Sequence, residues 1–166
     1  MKNNDVNSVA NTATTGSSEA PSPGSLPTLL SDFEGRWELS RTILQSNGDT
    51  FSFKGEAKFV RHNMAMLYQE DGYVSAPNGH VMPAQRQYIW QQSSPSKFDM
   101  LFDDGRYFHS FSADEPCAKH VCGDDLYRVN YHFSKWPAWS SKWQVKGPRK
   151  DYEMLSYYTR IGNRDS

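Results

Sequence analysis

From Trp37 to Arg160, apolar and polar residues alternate with a period of two, and helical spacing appears nowhere at length. The clearest run is 51–59, in which phenylalanine, glycine and alanine alternate with serine, lysine and glutamate. Such alternation gives a strand one apolar face and one polar face. Asp104-Gly105 separates two of these runs and is a strong hairpin signal, because the tight turn needs a positive φ. The sequence therefore predicts an all-β chain.

We expect about nine antiparallel strands, a number and spacing typical of a barrel or a sandwich. The segment around 113–124 is expected to be irregular. A short helical turn is expected at 26–33, with Ser25 as a candidate N-cap. The runs that predict strands begin near Trp37 and continue at 51–59, 66–70, 85–91, 98–102, 106–112, 127–133, 143–145 and 152–160.

Two residues at opposite ends of this pattern distinguish a barrel from a sandwich. Trp37 opens the first run, and Arg160 closes the last one. A tryptophan and an arginine so placed can stack across the closing seam of a barrel, a cation–π contact worth roughly 0.5–2 kcal/mol. The pair therefore favours a single antiparallel up-and-down β-barrel of about eight to nine strands.

Composition and length set the domain boundaries. We expect a disordered tail at 1–26, because residues 1–25 include no aromatic side chain and too little apolar surface to offset the entropy of ordering them. The barrel domain is expected at 27–162, with a short C-terminal tail at 163–166. No run is as apolar and long as a signal peptide or a membrane span, so we expect a cytoplasmic protein with no membrane partner. A net charge of −1 without a basic stripe argues against nucleic-acid binding.

The opening of the first strand carries a resemblance. Phe33-Glu34-Gly35-Arg36-Trp37 resembles the Gly-x-Trp opening of lipocalin-like (calycin) barrels, and Arg160 is placed like their closing arginine. Almost all of 32–161 also resembles a family of bacterial and fungal proteins of unknown function with a predicted lipocalin-like domain. That resemblance implies a lipocalin-like barrel and brings no known activity. Its motifs are Phe-Asp-Asp-Gly-Arg at 102–106, His-x-Cys at 120–122 and Gly-Pro-Arg-Lys-Asp-Tyr at 147–152.

Four charged or titratable residues share their strand's parity with aromatic residues and are expected inside the barrel: Arg41, Glu70, Arg86 and His109. A charge in an apolar interior is costly unless it is paired. One interpretation is a pocket whose aromatic walls hold the body of a ligand, while Arg41 and Arg86 hold its carboxylate, phenolate or phosphate. The other is that Glu70 bridges the two arginines in a buried network that fixes the strand register.

Three functions follow from this pattern. The first is binding of a small, partly aromatic or acyl, anionic molecule inside the barrel. The second is a lyase or isomerase that uses Glu70 or His109 as a general base. The third is a protein-interaction module that acts through the apolar segment 136–139. The residues expected to line the ligand site are Arg41, Tyr68, Glu70, Arg86, Tyr88, Trp90, His109, Tyr127 and Tyr131.

Cys117, His120 and Cys122 stand close together in the predicted irregular segment. Their spacing differs from the usual zinc pattern and offers three ligands where structural zinc takes four, so we expect neither a metal nor a cofactor. A disulfide between the two cysteines is one alternative. The other is a loop over one barrel mouth, with Cys122 buried and His120 hydrogen-bonded. The oligomeric state is left open.

Overall fold

The computed structural model describes residues 25–162, so the predicted tails lie outside the described residues except for Ser25 and Leu26. A single turn of 3-10 helix at Leu30–Phe33 precedes ten strands. The strands are β1 (Gly35–Gln45), β2 (Thr50–His62), β3 (Ala65–Ser75), β4 (Val81–Ser94), β5 (Lys97–Phe102), β6 (Tyr107–Ser112), β7 (Cys117–Cys122), β8 (Asp125–His132), β9 (Trp139–Lys146) and β10 (Asp151–Arg160).

The predicted all-β antiparallel barrel is confirmed, with ten strands instead of about nine. They form one nearly closed sheet in the order β6-β5-β4-β3-β2-β1-β10-β9-β8-β7. The additional strand is β7, which pairs with β8 in the segment predicted to be irregular. Its partly buried residues are Ala118 and His120, neither of them a large apolar side chain, so the alternation gave no clear signal.

Trp37 and Arg160 meet as predicted. They are direct partners in the ladder between β1 and β10, and the Arg160 guanidinium lies 4.1 Å from the Trp37 ring centroid. Arg160 Nη1 also donates to the Glu34 carbonyl at 2.8 Å, and Nη2 donates to the Asp32 carbonyl at 2.5 Å. One cation therefore joins the last strand to the first strand and to the 3-10 turn before it.

The seam of the barrel is not at this pair, contrary to the sequence prediction. A continuous ladder joins β1 to β10, whereas no ladder joins β6 to β7 within the described residues. The rings of Phe108 and His120 stack across that gap, 5.3 Å apart at their centroids. Side chains, and not backbone hydrogen bonds, thus complete the barrel wall there.

The 3-10 turn plugs one end of the barrel, which we call the closed end. The Asp32 carboxylate reaches back to accept hydrogen bonds from the N–H groups of Thr28 and Leu29, which precede the turn, both at 3.0 Å. The first N–H group of the turn, that of Leu30, donates to Gln92 Oε1 at 2.9 Å. Leu29, and not Ser25, holds the N-cap position. Phe33 is fully buried, with its ring centroid 5.1 Å from that of Trp136 and 5.6 Å from that of Trp139. Both tryptophans are buried in this plug, so segment 136–139 does not present the exposed apolar patch that an interaction module requires.

The opposite end, which we call the open end, is less well covered. The strands β5, β6 and β7 have six residues each, and β4 has 14. Pairing between β4 and β5 begins at Tyr88, opposite Phe102, so residues 81–87 have no partner strand on that side in the described part of the chain. We call this stretch the free edge of β4. The inward-facing residues near the open end are only partly buried: Ile43, Val74, Ala84, Phe102, Tyr127 and Tyr152.

The two cysteines lie at opposite ends of β7 and are exposed free thiols. Cys122 is therefore not buried as one sequence interpretation had it, because it lies at the end of a strand facing solvent and not under a loop. The structure shows no disulfide between them. Within residues 25–162, no cluster of three or more histidine, cysteine or acidic side chains is arranged to hold a metal ion. The same residues include no helix long and apolar enough to cross a bilayer.

We expect Arg160→Ala to lower the free energy of unfolding by about 1–3 kcal/mol, since it removes the contact with Trp37 and two hydrogen bonds to carbonyls. Urea denaturation measures this. Arg106→Ala is the matched control, because Arg106 also lies over a ring, 5.3 Å from that of Phe102, but on an exposed hairpin turn. That control should change stability by less than about 0.5 kcal/mol. Equal denaturation midpoints for the two variants would contradict the role given to Arg160.

Candidate ligand-binding site

A buried ion pair lies at the centre of the barrel. Arg41 on β1 and Glu70 on β3 are 7% and 4% exposed, and two hydrogen bonds join them, at 2.8 and 2.6 Å. The strand between them, β2, places Gly55 and Ala57 at this level of the inner face. These residues are so small that the two long side chains can meet over β2.

The ion pair extends into a network. Arg41 Nε donates to Ser156 Oγ at 2.7 Å, and the Tyr68 hydroxyl donates to the Glu70 carboxylate. The hydroxyls of Tyr68 and Tyr158 are 2.8 Å apart. Every member is buried, so these hydrogen bonds replace those that water would supply.

The charges in this network stabilise one another. Burial works to raise the pKa of Glu70, but the Arg41 guanidinium outweighs it and holds that pKa below its usual value. Burial likewise opposes the charge on Arg41, and Glu70 keeps the pKa of the guanidinium well above its ordinary value. Burial, followed by the Glu70 charge, raises the pKa of Tyr68. The network is therefore a carboxylate and a guanidinium flanked by neutral phenols.

Arg86 stands apart from this pair. It is the ladder partner of Glu70 on β4, but its described hydrogen bond is a long one, from Nη1 to the Tyr88 hydroxyl at 3.5 Å. Burial raises the pKa values of Tyr88 and Tyr152, and the Arg86 charge acts in the opposite direction on both. The Arg86 side chain lines the interior beside Glu70 and Tyr88, near the open end. The alternative in which Glu70 bridges both arginines is not formed.

Arg86 is exposed, where the sequence predicted an inside position among aromatic walls. The reason is the free edge of β4: β5 begins to cover β4 only at Tyr88, two residues further on. The Arg86 side chain therefore lies at the boundary between the barrel interior and solvent.

A small cavity of about 10 Å³ lies beside the ion pair. That is about the space that a single water molecule requires. Of the nine residues predicted to line the site, His109 and Tyr127 do not line this cavity and the other seven do. The lining residues are Arg41, Tyr68, Glu70, Arg86, Tyr88, Trp90, Met100, Tyr131, Trp139, Ser141, Trp143 and Tyr158.

Five lining residues were not predicted, and three of them lie on β9. Trp139, Ser141 and Trp143 alternate with polar residues along β9. This alternation is visible in the sequence, but the predicted run began only at 143 and so left out its first half. Tyr158 shares the parity of the buried Met154 and Ser156 on β10, and Met100 shares that of the buried Phe98 on β5. Their contribution follows from the strand register, which sequence alone left open.

Two hydrogen-bond donors among the cavity residues are unsatisfied. The indole N–H groups of Trp90 and Trp139 are buried and have no acceptor among the described residues. A buried donor without an acceptor costs roughly 1–3 kcal/mol. Together with Arg86, these groups make the cavity a place that favours oxygen acceptors.

His109 lies deeper, against the barrel wall. The sequence predicted His109 inside the barrel together with Tyr107 and Phe111. In the structure, a register shift between Met100 and Leu101 turns both Phe108 and His109 inward and leaves Tyr107 exposed. His109 Nε2 and the Tyr131 hydroxyl are 2.8 Å apart. Burial, followed by the charge on His120, lowers the pKa of His109 to about 3.

Neither candidate base is well placed for proton transfer. The Glu70 carboxylate accepts three hydrogen bonds and has a lowered pKa, which weakens it as a base. His109 is a weak base at neutral pH for the same reason and does not line the cavity. The geometry favours binding over general-base catalysis.

Tyr127 lies at the open end and not in the cavity. Its hydroxyl accepts a hydrogen bond from Lys150 Nζ at 3.1 Å, and its ring centroid lies 5.4 Å from that of Phe108. A second cation thus stands near the mouth, beside a carboxylate of its own, Asp125, at 3.5 Å.

The ion pair generates a stability prediction. Glu70→Gln leaves the Arg41 charge buried without a counter-charge, so we expect a loss of about 3–5 kcal/mol in the free energy of unfolding. Adding Arg41→Met to that variant should restore part of the loss, because the uncompensated charge is then removed. Urea denaturation of the three proteins measures this. A second substitution that destabilises the protein further would contradict the pairing.

A pH dependence follows from His109. Its pKa is about 3 in the folded protein and near the ordinary value of about 6.5 in the unfolded chain. Between these values only the unfolded chain takes up the proton, so the free energy of unfolding should fall as pH decreases from about 6.5 to about 3. In His109→Gln this fall should be smaller, as measured by urea denaturation at a series of pH values. The exposed His62→Gln serves as the control, and parallel curves for all three proteins would exclude this role of His109.

Comparison with solved structures supports the fold. The S-type phycobiliprotein lyase CPES from Guillardia theta superposes with a TM-score of 0.54 at 10% identity, over 79% of this chain and 89% of that one. A fluorescence-activating β-barrel designed de novo matches with a TM-score of 0.41 at 14% identity, over 78% of this chain and 94% of that one. At such identity, the likeness to the lyase extends to the fold alone.

No curated protein matches the chain. Residues 33–160, which include all ten strands of the barrel, match the family described as Family of unknown function (DUF6314). The chain therefore belongs to this family.

Proposed function

We propose that the barrel binds a small, partly aromatic or acyl, anionic molecule, with Arg86 as the chief anchor. The observation that carries this proposal is the division between the two inward arginines. Arg41 is neutralised by Glu70 through two hydrogen bonds, whereas Arg86 has no carboxylate within hydrogen-bond distance among the described residues. A guanidinium that lies beside a cavity and is not paired with a carboxylate is suited to bind an anionic group of a ligand.

The surroundings of Arg86 support the same ligand class. Trp90 and Trp139 line the cavity next to it, and their buried indole N–H groups have no acceptor among the described residues. Oxygen atoms of a carboxylate, phenolate or phosphate are suitable acceptors for such donors. The nearby rings of Tyr88 and Trp143, 6.2 Å apart, offer apolar contact to a planar or acyl body. A few polar groups among aromatic walls are typical of small-molecule sites.

The fold is compatible with this function and does not establish it. The protein that superposes with a TM-score of 0.54 is, by its name, a phycobiliprotein lyase, and only 10% of its residues are identical to those of this chain. The proposal therefore depends on the residues of this barrel. With Glu70 and His109 placed as they are, we propose binding and not turnover.

Fluorescence titration with 1-anilinonaphthalene-8-sulfonate, an anionic aromatic probe, tests the proposal. We expect Arg86→Met to weaken binding by about 1.5–3 kcal/mol, the range for a hydrogen bond to a charged group. The control is Arg128→Met, which makes the same change of charge at an exposed position of β8. The proposal is wrong if both variants bind the probe as the unmodified protein does, provided that thermal melting shows both to be folded.

A further inference from the structure

We propose that the site takes its ligand with the anionic end innermost and leaves the other end in solvent, at the open end beside the free edge of β4. The ligand class is then an elongated anion with its charge at one end and a far end free to carry a larger group. This inference rests on the proposed function and adds orientation and ligand class to it.

The size of the cavity gives the first reason. At about 10 Å³ it has room for about one oxygen atom at the tip of an anionic group, whereas pockets that enclose a whole ligand measure about 300–1,000 Å³. Aromatic side chains fill the remaining interior: the Trp139 and Tyr158 rings stack at 3.7 Å, and the Phe111 and Tyr131 rings stack at 3.8 Å. The body of the ligand must therefore lie outside the cavity.

The two ends of the barrel differ in whether they can receive that body. At the closed end, Phe33 and Trp136 are 0% and 4% exposed and fill the space between the strands. At the open end, six inward-facing residues are only partly buried, which leaves apolar surface available for contact: Ile43, Val74, Ala84, Phe102, Tyr127 and Tyr152. Because Arg86 lies between this surface and the cavity, the charge of the ligand must point inward and its apolar body outward.

The free edge of β4 leaves space through which the far end of the ligand can reach solvent. In the described part of the chain, residues 81–87 have no partner strand on the side of β5, so the barrel wall beside Arg86 is shorter than elsewhere. Ala84, the inward residue next to Arg86 toward the rim, occupies little space, and Met82 beyond it is exposed. A group attached to the outer end of the ligand can pass over this edge without displacing buried side chains.

A pair of acyl probes tests the orientation. The free probe is 11-(dansylamino)undecanoic acid, and the tethered probe is undecanoic acid joined through its far end to biotin and held on streptavidin. Binding of the first is followed by energy transfer from the protein's tryptophans, and binding of the second by biolayer interferometry. We expect the two dissociation constants to agree within about threefold. The methyl ester of the free probe, which lacks the charge, should bind at least about tenfold more weakly.

Two variants test the location. Ala84→Trp fills the inward face of the open end and should weaken binding of both probes at least about tenfold. Gln85→Trp is the matched control, because it adds the same side chain to the outward face of the same strand and should change binding less than about twofold. Thermal melting establishes that each variant is folded.

The outcomes separate this inference from the proposed function. Binding of the free acid with loss on Arg86→Met, but no binding of the tethered probe, would overturn the orientation and leave the proposed function standing. Equal binding by Ala84→Trp and the unmodified protein would overturn the open end as the site. If neither acid binds and 1-anilinonaphthalene-8-sulfonate binds in an Arg86-dependent manner, the acyl ligand class is wrong and the proposed function holds. If none of the three probes binds, both proposals fail.

Discussion

The ion pair between Arg41 and Glu70 determines what the rest of the barrel interior can do. Two long charged side chains meet inside a core of aromatic rings, and the desolvation of each is offset only because they bind each other through two hydrogen bonds. The small residues of β2 at this level permit the contact. Once the pair is formed, its carboxylate is occupied, and Arg86, on the next strand, is left as a cation near solvent. The same three charges thus give a structural network and the group proposed to bind the ligand.

The pairing of the first strand with the last one positions the residues of this network. β1 carries Arg41, and β10 carries Ser156 and Tyr158, which hydrogen-bond to members of the network. The contact of Arg160 with Trp37 holds these two strands in a register that places Arg41 opposite Ser156. Within the described residues, the ladder is interrupted elsewhere, between β6 and β7, where the rings of Phe108 and His120 stack instead.

The sequence predicted the fold from features that act locally along a strand. Period-two alternation identified nine strands and the inward parity of Arg41, Glu70, Tyr68, Tyr88 and Trp90, because side chains on a strand must alternate between faces. It failed where tertiary context decides. β7 forms because β8 offers it a partner, and its own residues carry little apolar signal. The bulge that turns Phe108 and His109 inward together depends on how β6 pairs with β5. The exposure of Arg86 depends on where a neighbouring strand ends, which the residues around Arg86 do not encode.

The plug of Phe33 and Trp136 separates two tasks that many small barrels must combine. Phe33 and Trp136 are buried at that end and contribute to folding. They lie away from the rim of the open end, and Phe33 reaches the cavity only through its contacts with Trp90 and Trp139. The rim residues of the open end are partly exposed and contribute less to the core. Under the proposed function, replacements at the rim would change which molecule is recognised at little cost in stability. Such variants would differ in ligand while they retain the same folded barrel.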